Sequence, residues 1–288
     1  MSLQNPEGYQ PTSGGTVASS RGRVLAIANQ KGGVGKTTTA VTLADGLARR
    51  LVGTGYVLLV DLDPQGNAAP CLGVSPNGHD IAYLLAGEKA AEDCIVQAGT
   101  RSNLYVLPAS DQLADVKIEL IGREITSGLT ARKRNGSVSV NHILSDKLSI
   151  AAGAFDYIVI DCPPSLDMLA NAVFDFADAA IVPVKPDFLG TTGTAHHTQN
   201  ILDAQADGID IHVALYVPTF FRSREVLANQ MLASLTKVYG RTRVADPIPQ
   251  AAALEQAPAA GGQTIFEYAP DSPPALAYAK LVERVMKL

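Results

Sequence analysis

A glycine-rich stretch with two lysines is the part of this sequence best suited to chemistry. It lies between an apolar run, Val24–Ala28, and a helical pattern that begins near Lys36. Glycines let the backbone curl so that N–H groups point at phosphate oxygens, and the following helix adds the positive end of its dipole. In such a loop Lys36 reaches the β- and γ-phosphates of a nucleotide, and the Thr37 hydroxyl ligates Mg²⁺. We therefore predict nucleotide contacts at Gly32, Gly33, Val34, Gly35, Lys36, Thr37 and Thr38.

Carboxylates follow two other apolar runs. Asp61 and Asp63 come directly after Val57–Val60, and Asp161 comes directly after Tyr157–Ile160. A single aspartate after a strand is often a helix cap, but three such positions downstream of a phosphate loop favour a metal site. Mg²⁺ keeps part of its hydration shell and is held by one or two carboxylates together with phosphates. The sequence therefore predicts that Asp161 serves Mg²⁺, partly through water.

These residues need a scaffold in which apolar strands alternate with helices. Several of the strand candidates are apolar without alternation, as expected of strands that are covered on both faces. The alternation predicts an α/β fold with a doubly wound, mostly parallel sheet and helices on both faces, with ligands at the carboxyl ends of the strands. The strand candidates are 24–28, 57–60, 104–107, 157–160, 180–182 and 212–217, and the helices begin near Lys36, Gln112, Val140, Ser165, Thr194, Arg224 and Pro274.

Length and composition predict one large domain. The chain has 288 residues and a net charge of −5, so a basic field over the whole protein is absent and any contact with nucleic acid must come from a local patch. The three cysteines, Cys71, Cys94 and Cys162, are scattered and favour a reducing cytoplasm over a disulfide framework. No apolar run approaches the roughly 18 residues that span a bilayer, which predicts a cytoplasmic protein without stable membrane insertion.

Two segments lie outside this pattern. Residues 1–22 are rich in Ser, Gly, Thr, Pro and Gln, which predicts a flexible N-terminal arm before a single domain at 23–288. Residues 126–139 are polar and contain Arg132-Lys133-Arg134, which predicts an exposed insertion loop. That loop is interpreted as a solvated charged segment, with a contact to a partner or to DNA as the alternative.

The phosphate loop departs from the ordinary pattern in a specific way. Gln30 stands where the first glycine belongs, and Lys31 follows it. In this respect the segment Ala28–Thr39 resembles the deviant Walker A motif of the ParA/MinD family of ATPases. The resemblance implies ATP and Mg²⁺ as ligands and a homodimer in the ATP-bound state, in which Lys31 reaches the partner subunit's nucleotide site. It also implies that Asp63 orients the attacking water and that Asp61 joins the magnesium shell, so Lys31, Lys36 and Asp63 are the predicted catalytic residues.

The resemblance extends over essentially all of the chain after residue 22. It places Pro249 in the adenine pocket and implies slow, Mg²⁺-dependent hydrolysis that is stimulated by a ParB-like or cargo-adaptor protein. It further implies nonspecific DNA binding on the nucleoid, through Arg224 with Arg222, Arg241 and Arg243 nearby. One departure weakens this last expectation, because Ala253 stands where the family has an arginine.

Three functions are compatible with these motifs. The favoured one is a ParA-type ATPase that segregates or positions a plasmid, a chromosome or an organelle. The alternative is a MinD-like ATPase that cycles on the membrane and positions the division site, against which Asp63-Pro64-Gln65 and the weakly basic C-terminal helix argue. A third, an electron-transfer ATPase like the nitrogenase iron protein, requires cysteines that share a cluster across a dimer.

Overall fold

The computed structural model describes residues 22–99, 101–131, 140–164, 169–186 and 211–288, with the backbone alone for 126–131. Within these ranges one sheet contains the strands β1 (Arg23–Ile27), β2 (Val57–Asp61), β3 (Val96–Gln97), β4 (Leu104–Leu107), β5 (Tyr157–Asp161), β6 (Ala179–Val184) and β7 (Val213–Pro218). The strand order is β3-β4-β2-β5-β1-β6-β7. All neighbours pair in parallel except β3, which is antiparallel to β4.

The central strands are buried on both faces. All five residues of β2 and all six of β6 are buried. Successive residues of β1 alternate between two hydrophobic clusters: Val24 and Ala26 belong to one, and Leu25 and Ile27 to the other. Because both faces are covered, neither face needs polar residues, and this explains the uninterrupted apolar runs in the sequence.

Helices form a layer on each face of the sheet. They are α1 (Lys36–Arg50), α2 (Ile81–Ala86), α3 (Ala91–Cys94), α4 (Gln112–Ala131), α5 (Ile143–Ala154), α6 (Leu169–Phe176), α7 (Val226–Tyr239), α8 (Ala253–Ala259), α9 (Ile265–Tyr268) and α10 (Pro273–Val285), with 3₁₀ turns at Pro70–Leu72 and Val140–His142. Buried residues of α2, α4, α5 and α6 form one cluster with the sheet, and those of α1, α9 and α10 form the other. The predicted doubly wound α/β sheet is therefore confirmed.

The C-terminal helix α10 belongs to the core. Tyr278, Val282 and Val285 are at most 1% exposed, and the Tyr278 hydroxyl lies 3.2 Å from Thr39 Oγ1 of α1. This apolar face packs against α1 and the sheet. No helix in the described ranges is both long and apolar enough to cross a membrane.

Most predicted elements are present, with boundaries that agree within three residues. The elements missed from the sequence are α2, α3, α8, α9 and β3, which have between two and seven residues. Hydrophobic periodicity needs a longer window than that to be recognised. The predicted helix starts at Ser165 and Thr194 lie outside the described residues, as does the N-terminal arm except for Gly22.

The predicted insertion loop at 126–139 begins too early. The backbone of 126–131 continues α4 as far as Ala131, so these residues are helical, and 132–139 lie outside the described residues. Gly128 costs only about 1 kcal/mol in a helix interior, and once a helix is nucleated each further residue adds a hydrogen bond. A single glycine and a polar composition were therefore insufficient grounds for ending the helix.

Packing of α1 against α10 generates a stability prediction. A Cβ added to Gly46 would lie 2.4 Å from Cγ2 of the buried Val282 and 3.0 Å from Cε2 of Phe266. We expect Gly46→Ala to lower the free energy of unfolding by about 1–3 kcal/mol, because the helices must move apart. Gly122→Ala in the exposed part of α4 is the matched control; its Cβ would meet nothing within 4 Å, and it should gain up to about 1 kcal/mol. Urea denaturation compares them, and equal stability of the two variants would contradict the packing argument.

Candidate functional site

The glycine-rich loop connects the end of β1 to the start of α1. Gly33 and Gly35 have φ angles of 68° and 83°, in the left-handed region that side chains disfavour. A Cβ added at Gly32 or Gly33 would meet nothing within 4 Å, so this side of the loop is open. No side chain caps α1, and its first turn contains no acidic residue. The N–H groups of that turn are thus left for an anion.

Lys36 is the cation enclosed by this loop. It is buried, and its Nζ donates a hydrogen bond of 3.0 Å to the carbonyl oxygen of Lys31. Burial lowers the pKa of Lys36, while the charges of Asp161, Cys162 and Asp63 oppose that shift. The ammonium group therefore lies where it interacts with the predicted metal-binding and hydrolytic carboxylates.

Two of those carboxylates stand side by side. Asp61 ends β2 and Asp161 ends β5, and the two residues are partners in the parallel ladder. Both are at most 1% exposed. Burial, and next the charge of Asp61, hold the pKa of Asp161 well above its usual range, against the Thr37 hydroxyl and the Lys36 charge. Burial likewise raises the pKa of Asp61 to about 6.

The loop after β2 is organised by Asp61. One oxygen of Asp61 accepts the Asp63 N–H at 2.9 Å and the other accepts the Ala68 N–H at 3.0 Å. Asp63 is half-buried and accepts the Gln65 N–H at 3.0 Å. Asp61 therefore fixes the turn that carries Asp63, and Asp63 is close enough for its charge to act on Lys36, Asp61 and Asp161.

The residues around Asp161 fit a magnesium ion. Both oxygens of Asp161 are buried and lack a hydrogen-bond partner among the described residues, which is costly for a carboxylate. The Thr37 hydroxyl is near, and Asp61 has lone pairs beyond the two that accept backbone N–H groups. The described residues contain no group of three or more acidic, histidine or cysteine side chains that could bind a metal by themselves. Two carboxylates and a hydroxyl instead match an ion that is also held by phosphates and water.

A second loop packs against the phosphate loop. Thr219 is buried and its hydroxyl donates to the Val34 carbonyl oxygen at 2.8 Å. A Cβ added at Gly35 would lie 3.3 Å from the ring of Phe220, whose φ is 51°. Phe221 forms a parallel bridge with Pro249, the predicted adenine contact. Pro249 thus belongs to a loop connected to the phosphate loop through residues 219–221.

Sequence reasoning did not identify three residues that hold the loop. Thr219 and Phe220 are about 185 residues from their partners, and nothing local marks them. Asn29 is buried; its side chain donates to the Pro183 carbonyl oxygen at 2.8 Å and accepts the Lys31 N–H at 3.0 Å. For Asn29 the sequence does contain one local signal of such a role, which is a polar residue directly after an apolar strand.

The four arginines predicted to contact DNA are divided between the two ends of α7. All four are exposed. Arg222 and Arg224 precede the helix, and Arg241 and Arg243 follow it, roughly 20 Å away along a 14-residue helix. The Arg222 guanidinium already donates to Gln250 and, at 2.8 Å, to Glu225. Ala253, at the start of α8, is half-buried.

The three cysteines are free thiols. Burial raises the pKa of Cys94 to about 11, and burial together with Asp161 and Asp61 raises that of Cys71. Cys94 and Cys162 are buried and Cys71 is half-buried, so two of the three thiols do not lie on a surface that a second chain could share. The described residues therefore give no support to an electron-transfer function.

A glycine-rich loop between the first strand and helix of a parallel sheet, facing two aspartates at adjacent strand ends, defines a P-loop nucleotide-binding protein. The family model described as "AAA domain" matches residues 22–213. The chain is 35% identical to the chromosome-partitioning ATPase Soj of Thermus thermophilus over 92% of this chain and 95% of that protein. It is 34% identical to the sporulation initiation inhibitor protein Soj of Bacillus subtilis, over 92% and 98%. The chain therefore belongs to the ParA/Soj family of P-loop ATPases and is an ATP hydrolase.

Solved structures agree with this assignment. Cobyrinic acid a,c-diamide synthase of Mycobacterium smegmatis, with bound ATP analogue and magnesium, has a TM-score of 0.75 and 28% identity over 92% of this chain and 94% of that one. The cell division ATPase MinD of Pyrococcus furiosus has a TM-score of 0.71 and 24% identity over 92% and 99%. The MinD likeness is one of fold alone, so the comparisons favour the ParA assignment over the MinD-like alternative.

The buried aspartates generate a prediction about stability without nucleotide or Mg²⁺. Asp161→Asn should raise the free energy of unfolding near neutral pH, because an amide removes the cost that burial and the charge of Asp61 impose on this carboxyl. In the wild type, stability should fall as pH rises from 3.8 to about 6, because folded Asp61 then loses a proton that unfolded Asp61 has already lost. The control is Asp246→Asn, because the Asp246 side chain is 69% exposed. It should change neither the stability near neutral pH nor the dependence of stability on pH. Thermal unfolding between pH 4 and pH 8 measures both, and a less stable Asp161→Asn variant would contradict the argument.

Proposed function

We propose that this chain is a partition-type molecular switch, which dimerises when it binds ATP and Mg²⁺ and separates after slow hydrolysis. The observation that carries the proposal is that the two loop lysines lie in different environments. Lys36 is buried, and its charge acts on Asp161 together with those of Asp61 and Asp63. Lys31 is half-buried beside the exposed Gly32 and Gly33, at the open side of the loop. We propose that Lys31 serves a nucleotide held by another copy of the chain, and its position at the open side of the loop supports this role.

Within one chain, each residue has a distinct proposed task. The N–H groups from Gly32 to Thr38 cradle the phosphates, and the Lys36 ammonium reaches the β- and γ-phosphates. Thr37, Asp61 and Asp161 hold Mg²⁺, which when bound neutralises charge that develops on the phosphate oxygens. Asp63 orients the attacking water. Hydrolysis needs little covalent chemistry from the protein, so positioning and cationic charge account for most of the acceleration.

The nucleotide base has a proposed position near Pro249. The loop 248–250 is fastened to the segment after β7 by two backbone hydrogen bonds of 3.0 Å, from Phe221 N–H to Ile248 and from Gln250 N–H to Phe221. Phe220 in that segment contacts Gly35 at the start of α1. These contacts connect Pro249 to the phosphate loop and support it as the proposed neighbour of the base.

The partners proposed for this chain follow from its relatives. Thermus thermophilus Soj is named as a chromosome-partitioning ATPase, and we propose the same class of task here, on a chromosome, plasmid or organelle. The ATP dimer binds nonspecific DNA of the nucleoid in the cytoplasm. A ParB-like or cargo-adaptor protein stimulates hydrolysis and releases it.

The first test concerns Lys31. With a nonhydrolysable ATP analogue and Mg²⁺ the wild type should be a dimer by light scattering, and with ADP a monomer. Lys31→Ala should remain a monomer in both cases, because the charge that completes the partner's site is missing. Lys280→Ala removes a lysine whose side chain is 72% exposed and should dimerise normally. Normal dimerisation and hydrolysis by Lys31→Ala would rule out a two-chain site.

The second test concerns DNA. Fluorescence anisotropy with a random duplex should show binding by the dimer trapped with Asp63→Ala that falls steeply with salt, because phosphate contacts release counterions. Arg224→Ala should weaken binding to all sequences alike and flatten the salt dependence. Arg222→Ala should have a smaller effect, because the Arg222 guanidinium is already paired with Glu225 and Gln250.

The control for the DNA test is Arg50→Ala. Arg50 is a half-exposed arginine at the last residue of α1, paired with Glu283, and its loss should leave DNA binding unchanged. Absence of binding by the trapped dimer at low salt would remove DNA from the mechanism.

A further inference from the structure

Helix α4 has an apolar face that the described protein does not cover. Its inward face is formed by Leu113, Lys117 and Leu120, which are at most 7% exposed. On the outside, Ile118, Ile121 and Ile125 are 68%, 42% and 60% exposed. Single exposed apolar residues are normal on a protein surface, but three at neighbouring positions of one helix form a contiguous patch, and such patches mark contact sites.

The three isoleucines form a stripe. Their spacing of three and four residues places them within about 60° of one another around a helix of 3.6 residues per turn. Exposed Ala114 and Gly122 lie on the same side of the helix and leave space between the larger side chains. A surface of this shape, which we call the α4 stripe, has the spacing with which one helix packs against another.

Acidic residues surround the α4 stripe. The exposed residues between positions 111 and 125 include Asp111, Asp115, Glu119 and Glu124, against a single arginine. That arginine, Arg123, is paired with Glu119 at 2.6 Å. By helical position Asp115 and Glu119 border the stripe on one side. The charge next to the apolar surface is therefore negative, and a complementary partner is positive.

The start of α4 is close to the hydrolytic loop. A Cβ added at Gly66, three residues after Asp63, would lie 2.5 Å from the carbonyl oxygen of Ala109. Ala109 and Ser110 lie in the four-residue connection from β4 to α4. A protein bound to α4 therefore contacts a helix whose first residues follow a segment packed against the loop that carries Asp63.

We infer that the α4 stripe docks a basic amphipathic helix of the partner protein that stimulates hydrolysis. The apolar face of that helix covers Ile118, Ile121 and Ile125, and its lysines or arginines pair with Asp115 and Glu119. The inference rests on the proposed function for the partner's role, whereas the docking surface itself belongs to one chain and does not need the dimer.

The probe is a synthetic helical peptide of about 15 residues, with leucines on one face and lysines elsewhere. A second peptide has the same composition with the leucines scattered, and a third has glutamate in place of lysine. Fluorescence anisotropy should show binding of the first peptide to the full chain, about tenfold weaker binding of the scattered peptide, and none of the acidic one. Binding should weaken at high salt.

Chain variants locate the site. Ile118→Ser combined with Ile125→Ser should weaken peptide binding at least about tenfold, and Asp115→Lys combined with Glu119→Lys should do the same. Ile150→Ser on α5 is the matched control, because Ile150 is 74% exposed but lies outside the stripe, and its binding should be unchanged. The peptide should also raise ATP turnover of the wild type and of Ile150→Ser, but not of the stripe variant.

Several results would overturn the inference. Equal binding of the peptide to the wild type and the stripe variant would do so, as would equal binding of the basic and acidic peptides. A change in the oligomeric state of the stripe variant without peptide, seen by light scattering, would assign the surface to a second copy of the chain. The monomeric Lys31→Ala variant should bind the peptide like the wild type, so failure of the two-chain site and failure of the docking surface are distinguishable.

Discussion

Asp61 and Asp161 lie opposite each other at the ends of adjacent parallel strands, both out of contact with water. Two carboxylates so close repel each other, and burial removes the water that would weaken the repulsion. The cation whose charge acts directly on Asp161 is Lys36, which is itself disfavoured by burial. Negative charge thus accumulates at the point where a nucleotide would add more, so phosphates can be accommodated there only together with further cations.

In the proposed mechanism this constraint couples nucleotide, metal and assembly. Mg²⁺ adds charge within one chain, at the oxygens of Asp161 that lack a hydrogen-bond partner in the described part of the chain. Lys31 adds charge from another chain. If both contribute, the bound nucleotide stabilises the dimer and the dimer stabilises the bound nucleotide, since linkage is reciprocal. In the same proposal, loss of the γ-phosphate removes part of the negative charge that both cations offset, and the dimer is weakened.

The sequence predicted the local part of this site and missed the long-range part. A glycine loop after a strand, and aspartates after two others, are recognisable because their meaning depends on neighbours along the chain. The side chains that hold the loop, Thr219 and Phe220, depend on contacts across the sheet that no local pattern encodes. Asp45, a buried residue of α1, was missed for the same reason. It accepts hydrogen bonds from Arg101 and Thr264, which are distant from it along the chain.

The error in the predicted end of α4 has a local cause. Helix α4 continues beyond residue 126 because a glycine and a few polar residues weaken a helix without ending it. The exposed isoleucines of α4 were visible in the sequence as apolar residues, but apolar residues at helical spacing normally indicate a core face. Only the solvent exposure of each side chain distinguishes a face that packs inward from one left for a partner.

The loop after β7 connects the phosphate loop to Arg222 and Arg224, which precede α7. Thr219 is bonded to Val34 of the phosphate loop, and the Thr219 N–H donates to the Val184 carbonyl oxygen at 2.9 Å. Phe220 adopts a positive φ that costs a non-glycine residue on the order of 1 kcal/mol, so surrounding contacts must hold it. Arg222 follows directly and is tied to Gln250. The segment therefore runs from a residue bonded to the phosphate loop to Arg222, two residues before Arg224, and hydrogen bonds hold it at both ends.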